Sequence, residues 1–211
     1  MSRIVAGSRG GRRLETPTGE STRPTTDRVR EALFSSLVSW AGRGAEPPAD
    51  ALAGLAFLDL YAGSGAIGLE AASRGAAPVL LVESDARTAA LARRNVTTLD
   101  LGVPVRSMAV ETLARTSAEQ AYDIAFADPP YTLATERLDA VVADLVAHGW
   151  LAPDGLLVLE RSSRSPAPRW PATVVDAWDR SYGETVLHLA QLAPESSDSD
   201  APEPGTASVE P

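Results

Sequence analysis

The residues with the most chemistry to offer are Asp128-Pro129-Pro130-Tyr131, directly after the apolar run Tyr122-Asp123-Ile124-Ala125-Phe126-Ala127. The Asp128 carboxylate and the Pro129 carbonyl are two acceptors side by side. Each can take a hydrogen from an exocyclic NH₂ group, which turns a lone pair otherwise delocalised into a ring outward for attack. The prolines stiffen the turn and remove competing backbone donors. Tyr131 offers a ring on which a splayed-out base can stack, worth about 1–3 kcal/mol in comparable contacts. As a bare tetrapeptide the stretch reads equally well as a turn with a packed tyrosine, so its surroundings decide.

Those surroundings include Asp59-Leu60-Tyr61-Ala62-Gly63-Ser64-Gly65-Ala66-Ile67-Gly68, which closes another apolar run. Gly63 and Gly65 permit a tight bend and close approach of the backbone to a ligand, and Gly68 lets a following helix lie against a sheet. Glu83 ends the next apolar run twenty positions after Gly63, where a carboxylate accepts from ribose hydroxyls. This pattern serves both NAD and S-adenosyl-L-methionine. Asp59 leans toward the latter, because a carboxylate beside the loop suits a ligand bearing an ammonium and a sulfonium and repels a pyrophosphate.

Composition removes other chemistries. The 211 residues include no cysteine, which excludes thiolate metal sites, iron–sulfur clusters and a cysteine nucleophile. All 19 basic residues are arginine, so a Walker phosphate loop and Schiff-base chemistry are excluded. His148 and His188 are the only histidines, too few for a three-histidine metal site, and no metal is expected. There is no run of about 18 apolar residues and no apolar leader after Met1-Ser2-Arg3, so a cytoplasmic protein without membrane contact is expected. The net charge of −9 is unevenly spread: five acids and no base lie after Ala193, while residues 1–30 carry seven arginines against three acids. Arg9, Arg12, Arg13, Arg23, Arg28 and Arg30 in that segment are candidates for RNA phosphates, since the guanidinium fork matches phosphate geometry.

Elements must bring these motifs together. Apolar runs at Leu55–Tyr61, Val79–Glu83, Val103–Met108, Tyr122–Asp128 and Leu156–Glu160 alternate with helical patterns near 66–74, 85–99, 135–148 and, more weakly, 111–119. This predicts an α/β fold with a mostly parallel sheet covered by helices on both faces and a ligand edge at the strand carboxyl ends. Residues 173–181 and 184–190 alternate around Tyr182-Gly183 and predict a closing antiparallel hairpin. Near the front, residues 3–14 predict a small hairpin. Thr25 or Thr26 can cap a helix with Val29, Leu33, Phe34 and Leu37 on one face, ending near Gly42. The expected organisation is an N-terminal extension over 1–50, a ligand-binding domain over 51–192 and a disordered acidic tail over 193–211.

The chain resembles the amino-type class I S-adenosylmethionine-dependent methyltransferases, whose [N/D/S]-P-P-[Y/F/W] motif matches Asp128–Tyr131. Within them it is similar to the RsmD family, on Arg3-Ile4-Val5-Ala6-Gly7, Arg12-Arg13-Leu14, Arg23 to Glu31, Asp59–Gly68, Ser73-Arg74-Gly75-Ala76, Asp128–Tyr131 and Tyr182-Gly183-Glu184-Thr185. The resemblance spans about residues 3–190. It implies a Rossmann-like fold with a seven-stranded sheet, and methylation of the exocyclic N2 of a guanine in small-subunit (16S) ribosomal RNA by a monomer acting on a partly assembled subunit. It also implies that Asp59, Ala62, Gly63, Gly65, Gly68, Glu83, Ser84, Ala109 and Thr25 contact the cofactor, S-adenosyl-L-methionine, and that Arg23-Pro24-Thr25 can cover it. One departure is Met108-Ala109-Val110, where many relatives have a polar residue at the adenine. Methylation of adenine-N6 or cytosine-N4 in DNA is the neighbouring reading, against which the short N-terminal segment leaves little room for target recognition. An NAD-dependent oxidoreductase would leave Asp128–Tyr131 idle, and a noncatalytic RNA-binding module would leave the glycine loop idle.

Overall fold

A computed structural model describes residues 2–17 and 27–195. Arg23, Thr25, Thr26 and residues 196–211 lie outside them, so the cofactor cover, the helix cap and nearly all of the acidic tail are not addressed by it.

The front of the chain forms β1 (Ser2–Arg3) paired antiparallel with β2 (Arg13–Leu14), followed by the helix α1 (Asp27–Trp40). The middle alternates as expected: β3 (Phe57–Leu60), α2 (Ala66–Ser73), β4 (Val79–Glu83), α3 (Ala86–Leu99), β5 (Val105–Ser107), α4 (Val110–Ala114), β6 (Tyr122–Ala127), α5 (Thr135–Ala147) and β7 (Leu151–Ser162). The hairpin β8 (Val174–Tyr182) and β9 (Thr185–Leu192) ends it. The seven-stranded sheet has the order β5-β4-β3-β6-β7-β9-β8, parallel from β5 to β7 and antiparallel through β9 and β8.

Strand residues alternate between two apolar layers. Phe57, Leu81, Phe126 and Val158 face α1, α2 and α3, where they meet Leu33, Phe34, Leu37, Leu69, Ala92 and Leu99. Leu58, Leu80, Ala125 and Leu157 face α4 and α5, where they meet Val110, Leu113, Leu138, Val142 and Leu145. Strands buried on both sides are what parallel pairing requires. Ile4 and Leu14 of the small hairpin and Leu33, Phe34 and Leu37 of α1 belong to the first layer, so the hairpin and α1 share a core with the sheet.

Two elements differ from expectation. The helical pattern near 111–119 stops at Ala114, where both the amide and the hydroxyl of Thr116 return to the Leu113 carbonyl and end the spiral. β7 starts at Leu151 rather than Leu156. Leu151 pairs with Tyr122, the register then shifts, and pairing resumes at Leu156 and Ile124. Pro153 has no amide to give, and Asp154 turns to φ 60°, so this stretch looks like a turn in sequence yet continues the strand.

Candidate active site

Five parallel strands end on one edge, which gathers the glycine loop after β3, Glu83 at the end of β4 and Ser84 after it, Met108 and Ala109 after β5, Asp128–Tyr131 after β6 and Arg161 near the end of β7. The loop turns through Gly63 at φ 55° and Gly65 at φ 84°. A side chain built on Gly63 would meet nothing within 4 Å, so its backbone faces open space a ligand can enter. Gly68 is the opposite case: a side chain there would collide with Leu81 and crowd Asp59, so helix and sheet pack where only hydrogen fits.

Glu83 is oriented before any ligand arrives. Its Oε2 accepts from the Gly63 amide at 2.9 Å and its Oε1 from the Asp85 amide at 2.7 Å, with the Ser84 hydroxyl at 3.5 Å. Asp85 also caps α3 by accepting from the Thr88 amide, which fixes the turn beside Glu83. Ala62 donates its amide to Val82 at 2.9 Å, closing the loop onto β4. Ala109 begins α4 without a side-chain cap, and Met108 donates its amide to the Glu83 carbonyl. The polar groups that Met108 and Ala109 bring to this edge are therefore backbone.

Asp59 is 1% exposed, and its Oδ2 accepts from the Gly68 amide at 2.8 Å. Burial pushes its carboxyl up to about 7; the Gly68 hydrogen bond works against this and Glu83 adds to it. Asp128 is half-buried, and burial, then Glu160, then Asp59 hold its carboxyl well above the usual range, with Arg161 alone opposing. Pro129 is buried and Pro130 exposed, and the turn closes through the Leu133 amide on the Pro130 carbonyl at 2.8 Å. Tyr131 stands 66% exposed at the mouth of the edge, unlike the other large rings of the fold. A packed-tyrosine turn would bury it. Arg161, 5% exposed, braces the same turn by donating Nη2 to the Leu133 carbonyl at 3.0 Å.

Two of these residues were missed. Glu160 and Arg161 end an apolar run at the same sheet edge just as Asp128 does, and that shared position was the signal that could have found them. The arginines divide. Arg13 and Arg28 are exposed, whereas Arg30 is 1% exposed, its Nη1 on the Ser2 hydroxyl at 3.2 Å and its Nη2 on the Arg3 carbonyl at 2.7 Å. Arg30 is thus corrected from an RNA contact to a buried tie between α1 and β1, because its guanidinium is spent inside the fold. Arg9 gives donors to the Leu99 and Asp100 carbonyls and Arg12 one to the Thr98 carbonyl, so both serve the unpaired carbonyls ending α3. Among the described residues no group of three or more His, Cys, Asp or Glu could hold a metal, and no helix is long and apolar enough to cross a membrane.

A parallel sheet with an antiparallel end, a glycine loop facing a strand-end carboxylate and an Asp-Pro-Pro-Tyr turn on the same edge define a class I methyltransferase that uses S-adenosyl-L-methionine. The family model described as conserved hypothetical protein 95 matches residues 2–191, and the chain belongs to that family, which is the RsmD family. It is 35% identical over 191 residues to ribosomal RNA small subunit methyltransferase D of Escherichia coli, covering 90% of this chain and 89% of that one. The protein of the same name from Haemophilus influenzae is 30% identical over 168 residues, covering 78% and 80%. A solved Escherichia coli structure, YhhF, superposes with a TM-score of 0.75 at 30% identity, covering 92% of this chain and 98% of that one.

Proposed function

We propose that the protein transfers a methyl group from S-adenosyl-L-methionine to the exocyclic N2 of one guanine in small-subunit ribosomal RNA, acting as a cytoplasmic monomer on a partly assembled subunit. The observation that carries this is the convergence of Asp128–Tyr131 and the Gly63–Glu83 pair on one sheet edge, in a chain whose relatives bear the name ribosomal RNA small subunit methyltransferase. The cofactor supplies a methyl group on a positively charged sulfur. Glu83 is set to accept from the ribose, Gly63 and Gly65 leave room along the loop, and Asp59 lies where positive charge is welcome.

Asp128 and the Pro129 carbonyl take the two hydrogens of the guanine NH₂, and Tyr131 holds the base by its face. Once nitrogen has gained the methyl group it carries a positive charge until one hydrogen leaves as a proton. A carboxyl held well above its ordinary range is a better acceptor for that proton than a surface aspartate, and Asp128 is such a carboxyl. Exposed Arg13 and Arg28 stand where phosphates of the flanking RNA can meet them. Mapping modified nucleotides in ribosomal RNA from cells with and without the gene tests the reading. One N2-methylguanine in the small-subunit RNA should vanish; a lost N6-methyladenine or N4-methylcytosine in DNA would replace it with the DNA reading.

A further inference from the structure

Asn95 sits on α3, outside every motif at the sheet edge, and is 2% exposed. All three of its side-chain hydrogen bonds go to main-chain groups. Oδ1 accepts from the Glu15 amide at 2.8 Å, while Nδ2 donates to the Glu15 carbonyl at 3.0 Å and to the Ser64 carbonyl at 2.9 Å. Ser64 lies between Gly63 and Gly65 in the cofactor loop, and Glu15 directly follows β2 of the N-terminal hairpin. One buried amide group therefore joins the loop to the hairpin. The task needs one acceptor and two donors on adjacent atoms, which among short side chains only asparagine provides.

The loop needs such a holder. Its two left-handed glycines give the backbone little preference of its own. Ala62 and Gly63 are held from β4 through Val82 and Glu83, and the Ser64 carbonyl is held from α3 by Asn95. The hairpin is fixed independently on α2, where Glu70 accepts from the Val5 and Ala6 amides and Ser73 from the Arg9 amide.

We propose that Asn95 is the positioning residue of the cofactor loop and transmits its occupancy to the segment after the hairpin, so that S-adenosylmethionine binding and RNA docking strengthen each other. The RNA half of this rests on the function proposed above; the cofactor half does not. A ligand that immobilises the loop fixes the Ser64 carbonyl, hence the Asn95 amide, hence Glu15. By reciprocity RNA held at the hairpin raises cofactor affinity by the same factor.

The test is amide hydrogen exchange on the full chain with and without S-adenosylmethionine, beside calorimetric affinities. In the wild type the cofactor slows exchange at the Glu15 amide, and in Asn95→Ala that slowing is lost. Asn95→Asp fills the same space, so a mere packing role leaves cofactor affinity unchanged, whereas the clamp, stripped of both donors, weakens it about tenfold. From the other end, Glu15→Pro removes the amide hydrogen that Asn95 accepts together with the side chain and the freedom of φ, and Glu15→Ala removes the side chain but keeps the amide hydrogen. Glu15→Pro should bind cofactor several-fold more weakly than Glu15→Ala. Persistence of the cofactor-linked protection in folded Asn95→Ala, or wild-type affinity in Asn95→Asp, overturns the proposal. If neither Asn95 variant folds, equal affinities of Glu15→Pro and Glu15→Ala overturn it. A wild type that shows the protection but methylates no ribosomal RNA overturns the proposed function and leaves the clamp standing.

Discussion

In the mechanism proposed above the chemistry turns on Asp128, whose environment sets a pH dependence. Burial, Glu160 and Asp59 raise its carboxyl well above the usual range, and only the ionised form accepts both hydrogen and proton. Methyl transfer should therefore rise with pH as Asp128 ionises, and Asp128→Asn should flatten that limb of the profile in single-turnover assays. Asp128→Ala loses acceptor and charge together and should slow turnover about 10²–10³-fold, the scale for one preorganised contact to developing charge. Tyr131→Phe keeps the exposed ring and should be tolerated, while Tyr131→Ala should lower RNA methylation more than cofactor affinity. Asp59 gives a second, separable signal. Its carboxyl, near 7 in the folded chain against 3.8 unfolded, holds a proton the unfolded chain has lost, so stability without cofactor falls as pH rises from 3.8 to about 7. A cationic ligand beside it favours ionisation, so S-adenosylmethionine should bind more tightly as pH rises through 7, releasing a fraction of a proton. Calorimetry in buffers of different ionisation enthalpy measures that release, and Asp59→Asn should abolish it. Asp128, Gly63 and Glu83 were legible in the sequence because each stands at or just past the carboxyl end of a buried strand. Asn95, Glu70 and Arg161 were not, because their partners are main-chain groups of segments 80, 65 and 28 positions away.

Among elements, the strands and the three helices of the first layer were legible because period and length agree over whole runs. α4 is too short to show a period, and the start of β7 hides behind Pro153 and Asp154, residues that in sequence signal a turn. The front hairpin shows why charge alone misleads. Six arginines read as candidates for RNA phosphates, but a guanidinium is equally suited to carbonyls, and Arg9, Arg12 and Arg30 each donate to one or more of them. The arginines consequently separate by experiment. Replacing Arg13 and Arg28 should weaken RNA binding and flatten its salt dependence by about one unit of slope per lost phosphate contact, with an unchanged melting temperature. Arg30→Met should do the reverse: it leaves the Arg3 carbonyl and Ser2 hydroxyl without their donor and should cost about 1–3 kcal/mol of stability, read by denaturant unfolding, with the salt slope intact.

For the whole molecule, the N-terminal extension is not a separable unit. α1 lays Leu33, Phe34 and Leu37 in one layer with Phe57, Leu69 and Leu187, and the Arg74 guanidinium sits 4.7 Å over the Phe34 ring. Unfolding should be a single transition seen alike by probes in the extension and in the sheet, and Leu33→Ala should lower stability by about 2–5 kcal/mol without splitting it. The division expected at residue 50 is thus not a division of cores. Within the shared core, Glu70, Ser73 and Asn95 grip the amides and carbonyls of Val5, Ala6, Arg9 and Glu15, while the side chains of Arg9 and Arg12 reach the carbonyls ending α3 and those of Ile4 and Leu14 enter the core. A hairpin that keeps Gly7, Ile4 and Leu14 therefore meets the same main-chain sockets, because a side chain at position 7 would collide with Ser73. What is left to vary are the outward positions, such as Ser8 and Arg13, whose side chains can change while the main-chain grip on the hairpin stays as it is.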